Sequence, residues 1–223
     1  YNDGQSSQSV YRVRDTKDHE PRTLIDPNKL SKEGTVALSG VFPSPDGKYV
    51  AYLTSEAGSD AQILRVRDVE TGQDLRDVIE DCRFTSLRWD HNSNEGFTYT
   101  YPAHDDLKRR IVKHHRIGDP IADDKIVFEV KDVANSSAFA GRIYNEDFEP
   151  SGYEYAGEVI GTNKANALYI KKPGKDSKFE VLIDDKVTTI TPVAMVGGKL
   201  YAQTDYNAPQ GRIVEIDLDN PKP

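Results

Sequence analysis

Cysteine is nearly absent from this sequence, and its scarcity excludes two kinds of site. Cys82 is the single cysteine in 223 residues, so the chain holds no intramolecular disulfide framework and no cysteine-rich zinc site. Cys82 lies on a predicted strand just before Phe84, with no histidine nearby, which predicts a buried structural thiol rather than a nucleophile. One cysteine also fits a reducing compartment, so we expect a cytoplasmic location, with the periplasm as the alternative.

Long apolar runs and concentrated positive charge are also missing. No segment approaches the roughly 18 apolar residues that a membrane-spanning helix needs, and the formal net charge is -8. Contact with nucleic acid or an anionic membrane requires clustered Lys and Arg, so we expect neither partner. The one basic segment, residues 108–116, alternates along a predicted strand and divides its charges between two faces. This pattern predicts a solvated edge strand.

The motifs of an autonomous enzyme are missing as well. The chain has no Gly-x-Ser-x-Gly nucleophile turn and no glycine pattern for binding phosphates or dinucleotides. Ser59, in Gly58-Ser59-Asp60, is predicted to be a turn residue. His104 with Asp105 and Asp106, together with His114–His115, has the residue types of a zinc site. Adjacent strand residues point to opposite faces, however, which favours a loop and an exposed strand. The sequence therefore predicts no catalytic residue, no metal and no cofactor in this chain.

What the sequence has instead is a turn-and-strand unit that recurs. Glycines at 47, 96, 152 and 198 each precede a short alternating strand and are spaced 49, 56 and 46 residues apart. A second strand follows each of them about 15 residues later. Three or four strands in about 50 residues is typical of a β-propeller blade. A β-sandwich also uses short alternating strands, but it does not predict the same order four times.

The expected fold is therefore all-β, a partial propeller of about four antiparallel four-stranded blades. The predicted units are listed here with approximate bounds: 1–33, 34–80, 81–130, 131–186 and 187–223. Trp89 is expected to pack in the core between blades. Residues 1–4 resemble the middle of a hairpin, so we expect the missing inner strands of the first unit to lie upstream.

Several segments resemble the propeller domain of the prolyl oligopeptidases, a family of serine peptidases. The most specific are Asp26-Pro27-Asn28, Ser44-Pro45-Asp46-Gly47-Lys48 and Gly58-Ser59-Asp60, and the resemblance continues to Asn207-Ala208-Pro209-Gln210-Gly211-Arg212. It implies a seven-bladed, unsealed propeller that covers an α/β-hydrolase domain with a Ser-Asp-His triad, in an enzyme that cleaves short peptides after proline. This chain would then hold about four of the seven blades and lack the hydrolase domain.

The resemblance implies a non-catalytic role. The propeller would gate the access of short proline-containing peptides, exclude large folded substrates and line the active-site cavity, with the hydrolase domain of the same parent protein as its partner. Two alternatives stay open. One is a stand-alone propeller that binds a peptide or protein, and the other is the propeller of a related dipeptidyl or acylaminoacyl peptidase.

Three residues acquire expected roles from the resemblance. Asp60 matches an acid that ties the propeller's inner face near the active site. Phe84, 24 residues later, matches an aromatic that lines the distal subsites, and Phe139 falls where the family often has a bulky apolar pocket residue. The segment 159–163 departs from the family, which often has an Arg and a Cys there. From the residues alone, Asp60 could simply hold a turn and Phe84 could be blade core.

Overall fold

The structure, a computed structural model, describes residues 1–2, 4, 6–91, 95–104, 108–130, 133–174, 177–184 and 187–219. These residues form β-strands and two 3₁₀ turns at Pro27–Lys29 and Ile121–Asp123, and they contain no α-helix. The all-β prediction is therefore confirmed. The strands are β1 (Tyr11–Val13), β2 (Arg22–Ile25), β3 (Val36–Pro43), β4 (Tyr49–Glu56), β5 (Gln62–Asp68), β6 (Asp74–Cys82), β7 (Leu87–Trp89), β8 (Gly96–Pro102), β9 (Arg110–Arg116), β10 (Lys125–Phe128), β11 (Ser136–Tyr144), β12 (Pro150–Ile160), β13 (Asn166–Lys171), β14 (Glu180–Ile183), β15 (Ile190–Val196), β16 (Lys199–Thr204) and β17 (Arg212–Ile216).

The strands are arranged in sheets that follow the order of the chain. β1 and β2 form a hairpin, β3 to β6 an antiparallel four-stranded sheet, and β15 to β17 an antiparallel three-stranded sheet. The remaining strands run in the order β14-β13-β12-β11-β9-β8-β7, with β10 beside β9. The link between β9 and β11 is one parallel pair, Arg110 with Ser137. By contacts the chain divides into a first compact unit, residues 1–99 and 114–124, and a second that takes the rest.

The first unit is built around β4, whose middle residues are buried on both faces. Val50 and Tyr52 pack against Leu24 and Ile25 of β2 in one apolar cluster. The turn that leads into β4 is closed by the Asp46 carboxylate, which accepts hydrogen bonds from the Ser44 hydroxyl (2.8 Å) and the Lys48 amide (2.9 Å). The Ser-Pro-Asp-Gly segment is thus a structural turn, because its serine is used to hold the loop.

Two polar side chains join sheets within the first unit. Trp89 of β7 donates its indole N–H to the carbonyl of Phe42 on β3 (2.8 Å) and stacks on Tyr49 with ring centroids 6.3 Å apart. This confirms the predicted core packing of Trp89. Arg67 of β5 donates to the carbonyl of Leu24 (2.6 Å) and to the Asp74 carboxylate (2.7 Å). The β1–β2 hairpin is therefore tied to the four-stranded sheet by a charge-assisted bond.

The second unit holds two apolar clusters. One joins β11 and β13 to the three-stranded sheet, through residues that include Ile143, Leu168, Met195 and Leu200. The other lies among β9 to β12 and includes Val112, Phe128, Ala138 and Ala156. Alternating strands bury one face in each cluster, which is the pattern that the sequence predicts for packed sheets.

The prediction that residues 108–116 form a solvated edge strand is wrong. β9 pairs with β8, β10 and β11, and Ile111, Val112 and His115 on it are buried. Basic residues of this segment have partners: Arg109, just before β9, lies 3.4 Å from the Glu129 carboxylate, and Arg110 donates to the Ser137 hydroxyl. Long side chains can bury their stems while their charged ends are neutralised, so a basic strand need not be an edge.

Candidate functional site

The first candidate region is one end of the four-stranded sheet. Gln62 and Cys82 are register partners at the end of the β5–β6 pair. Asp60 lies two residues before Gln62, in the β4–β5 turn, and Phe84 lies two residues after Cys82, in the β6–β7 connection. Two residues that the resemblance singles out, 24 positions apart in sequence, are therefore brought to the same end of one sheet.

Asp60 is an exposed residue in a turn that is already closed without it. The turn contains Ala57 and Gly58 with positive φ, and the Ser59 amide donates to the carbonyl of Glu56 (2.8 Å). Within the described residues the Asp60 carboxylate has no hydrogen bond or ion pair that would hold the turn. Its charge is thus presented to solvent rather than used in the fold.

Phe84 is displayed in an unusual way. Its side chain is 64% exposed, and its backbone has a φ of 48°, in the left-handed region. For a bulky residue this conformation costs about 1–2 kcal/mol, and such residues cluster at functional sites. The next amide, that of Thr85, donates to the Gln62 side chain (3.5 Å) and ties the connection to β5. Phe84 is therefore not blade core, the interpretation that the residues alone left open.

A cleft of about 620 Å³ lies beside the Asp60 turn. Its lining includes Glu56, Ser59, Gln62, Arg65 and Asp81 among other residues of β3 to β6. Arg65 donates to the Thr54 hydroxyl (3.0 Å), so its charge is oriented by the sheet. The charged residues of its lining are mainly acidic, which suits binding through hydrogen bonds and charge rather than covalent chemistry.

Phe139 lies in the second unit, on β11, and is half-buried. Its register partner on β12 is Gly157, and a Cβ atom at Gly157 would lie 2.1 Å from the Phe139 Cζ. The same arrangement recurs two residues along, where the Tyr155 ring covers Gly141. The two rings pack edge to face with centroids 6.4 Å apart. Each ring thus fills the space that a glycine leaves on the opposite strand.

One polar cluster was missed by sequence reasoning. His115 of β9 is completely buried, and its two ring nitrogens lie 2.8 Å from the carboxylates of Asp77 and Asp124. Asp77 lies 38 positions before His115 and Asp124 lies 9 positions after it, so no local motif indicates the cluster. His114, the preceding residue, faces the other way, and its Nε2 lies 2.9 Å from an Asp90 carboxylate oxygen. The prediction that adjacent histidines point to opposite faces is confirmed.

Cys82 and the candidate metal ligands can be compared with their predicted surroundings. Among them no group of three or more His, Cys, Asp or Glu side chains is placed to hold a metal ion. Cys82 is buried, as predicted, and burial raises the pKa of its thiol to about 11, which keeps it protonated and unreactive. Asp105 and Asp106, part of the zinc alternative, lie outside the described residues. The searched residues also include no helix long and apolar enough to span a bilayer.

Comparison with known proteins places this fold in a family. The family model described as "Prolyl oligopeptidase, N-terminal beta-propeller domain" matches residues 1–223. The prolyl endopeptidase of Elizabethkingia miricola is 30% identical over 231 residues, covering 100% of this chain and 31% of that protein. The dual function macrocyclase-peptidase POPB of Amanita bisporigera is 31% identical over 255 residues, covering 100% of this chain and 34% of that protein.

A solved structure gives the same result for the fold. The apo structure of prolyl oligopeptidase B from Galerina marginata superposes with a TM-score of 0.80 at 26% identity, covering 100% of this chain and 34% of that one. The β-propeller prediction is thereby confirmed. The chain spans about a third of the length of the relatives that it matches.

Proposed function

The chain belongs to the prolyl oligopeptidase family, as β-propeller domain, and from this we propose that it forms a non-catalytic wall of a peptidase cavity and gates the entry of short proline-containing peptides. The observation that carries the proposal is the end of the β3–β6 sheet. There an exposed aromatic held on a left-handed backbone lies at the same end of the sheet as an exposed carboxylate and a cleft whose charged residues are mainly acidic. The aromatic ring could contact apolar side chains of a short peptide, and the carboxylate could pair with a positive charge on it.

The proposed partner is a hydrolase domain in the same intact protein. The support is that the curated relatives are about three times as long as the region this chain matches, and that their names describe peptidases. The chain itself offers no Gly-x-Ser-x-Gly turn. Residues 1–223 alone should therefore not hydrolyse a chromogenic Gly-Pro amide. Turnover that survives purification and is blocked by serine-directed inhibitors would contradict this assignment.

The cavity role of Phe84 can be tested by truncating its ring in the intact protein. Phe84→Ala should raise KM for longer peptides several-fold, because those peptides reach the distal subsites, while KM for a minimal dipeptide amide stays within about twofold. Phe148→Ala is the matched control. Phe148 is also an exposed phenylalanine with a left-handed backbone, in a hairpin tip of the second unit. Equal effects of Phe84→Ala on long and short substrates would remove Phe84 from the cavity.

The charge of Asp60 can be tested separately. Asp60→Asn keeps the size and the turn preference of the side chain, so the fold should be unchanged while KM for peptides rises. A matched control is Asp46→Asn, because that carboxylate closes a turn at the other end of β4 and should affect stability instead of KM. If Asp60→Asn leaves every kinetic constant unchanged, the carboxylate has no part in the cavity.

A further inference from the structure

The buried cluster of Asp77, His115 and Asp124 plays no part in the proposed peptide site. The His115 side chain has no exposed surface, and the two carboxylates are 3% and 2% exposed. Nε2 lies 2.8 Å from Asp77 Oδ1, and Nδ1 lies 2.8 Å from Asp124 Oδ1. The His115 ring is therefore enclosed between two buried carboxylates.

The geometry indicates how many protons the His115 ring carries. An ionised carboxylate only accepts hydrogen bonds, so both ring nitrogens must donate, and only the imidazolium has two N–H groups. The carboxylates are held by further donors. The Gly118 amide donates to Asp77 (2.6 Å), and the Tyr99 hydroxyl donates to Asp124 (2.6 Å). These donors stabilise the charged carboxylates, which in turn require the charged ring.

The direction of the proton affinities agrees with this arrangement. Burial opposes the charge on His115, but hydrogen bonds and attraction to Asp77 and Asp124 outweigh it and raise its pKa above the ordinary value of 6.5. Burial likewise opposes the Asp77 charge, and the bonds from His115 and Gly118 outweigh it and lower that pKa below 3.8. The ion triad is therefore favoured between these two limits.

The cluster joins two sheets within the first unit. Asp77 lies on β6, the outer strand of the four-stranded sheet, whereas His115 lies on β9 and Asp124 follows the 121–123 turn before β10. The groups that face His115 are those two carboxylates, the Tyr99 hydroxyl one bond further on, and the uncharged ring of Phe97, 5.3 Å away on β8. The His115–Asp77 bond thus spans from one sheet to its neighbour.

We propose that Asp77, His115 and Asp124 form a proton-dependent clamp that holds β6 against β9 and lets the two sheets part when His115 loses its proton. The proton leaves from a ring nitrogen to solvent during a transient opening. The nitrogen lone pair then faces a carboxylate oxygen, and this buried carboxylate, although it keeps its Gly118 or Tyr99 donor, loses its charged partner, which is disfavoured. Water must enter or the strands must separate. This inference rests on the packing of the first unit and holds whether or not the proposed peptide site is correct.

The sign of the pH effect follows from the raised pKa. The clamp contributes its full stability below about 6.5, the unfolded value of histidine, and loses it as the pH rises through the higher folded value. At the acid end the lowered Asp77 pKa gives the opposite sign, so stability is lost as the pH falls through that lower value. The contact between β6 and β9 should therefore be most stable at pH values between the lowered pKa of Asp77 and the raised pKa of His115.

The test is a pH series on the intact protein. Ring-nitrogen NMR should show His115 doubly protonated at pH 6.5 and losing its proton only at a higher pH. Hydrogen exchange, corrected for intrinsic rates, should show protection of β6 and β9 amides falling about tenfold for each unit by which the His115 pKa is raised. If His115 were neutral at every pH of the series, or if the protection of the β6 and β9 amides did not change with pH, the clamp proposal would be overturned.

Variants provide the matched comparison. His115→Gln should open the β6–β9 contact at pH 6.5 and abolish its pH dependence. His114→Gln, on the same strand with the half-exposed partner Asp90, should leave that dependence intact. Equal loss in both variants would overturn the proposal. Should His115→Gln fail to fold, the wild-type titration and the milder Tyr99→Phe variant still decide it. Tyr99→Phe removes one bond to Asp124 and should shift the His115 transition, and an unshifted transition would count against the clamp.

Discussion

Phe84 and Phe139 receive the same expected role from the family resemblance, yet the structure gives them opposite surroundings. Phe84 is mostly exposed, on a left-handed backbone in the first unit. Phe139 is half-buried in the second unit, with its ring seated on Gly157 and edge to face with Tyr155. The left-handed backbone of Phe84 costs the fold conformational energy, whereas the packed ring of Phe139 stabilises the sheet that carries it.

This difference decides what each position can reveal. Removing a ring that packs on its own sheet changes stability and binding together, so a loss of activity has two explanations. Removing a ring that is mostly exposed should disturb the fold less. Phe84 is therefore the residue that can separate substrate contact from folding, and Phe139 needs a stability measurement beside every kinetic one.

The largest effect should come from filling the space that Phe139 occupies. Gly157→Ala places a Cβ atom 2.1 Å from the Phe139 Cζ, so the ring must leave the strand surface. We expect a loss of about 2–3 kcal/mol in unfolding free energy, measured by urea denaturation. In a Phe139→Ala background the same substitution should cost less than about 1 kcal/mol, because the two changes share one contact. Equal costs in both backgrounds would mean that the ring is not seated on Gly157.

A smaller effect should follow from removing each ring by itself. Phe139→Ala should cost about 1–2 kcal/mol, since a half-buried aromatic loses part of its apolar contact. Phe84→Ala should lie within about 0.5 kcal/mol of the wild type, as is usual for an exposed position. The urea midpoints of the two variants provide the comparison. Similar losses would erase the contrast between the two positions.

Strands were predictable where a glycine turn marks their start. β4, β8 and β16 begin at or within two residues of Gly47, Gly96 and Gly198, whereas Gly152 lies inside β12, which begins at Pro150. Only the end of β6, at Cys82, was predicted as strand, because Asp-Leu-Arg-Asp-Val-Ile-Glu-Asp-Cys carries four acids, which are uncommon in strands. Asp77 can be buried because its carboxylate pairs with His115, and His115 lies on a neighbouring sheet that local sequence does not reveal.

The candidate site was predictable only in part. Sequence resemblance selected Asp60 and Phe84, but their proximity depends on the pairing of Gln62 with Cys82, which no local pattern encodes. The His115 cluster had no signal beyond a histidine pair on a strand, because both carboxylates come from other elements. Period-two alternation indicates which face a residue occupies, whereas the partner on the next sheet depends on how whole sheets pack.

The smallest predicted effect is the most informative, because it should have the opposite sign. Phe84→Gly relieves the left-handed backbone and should raise the unfolding free energy by about 0.5 kcal/mol, the steric gain being partly offset by the greater freedom of glycine in the unfolded chain. Phe148→Gly is the control, since Phe148 has a φ of 61° and is 86% exposed. Both variants should be slightly more stable by urea denaturation, but only Phe84→Gly should raise KM for longer peptides. A destabilised Phe84→Gly would show that the ring supports the fold, and the contrast with Phe139 would then disappear.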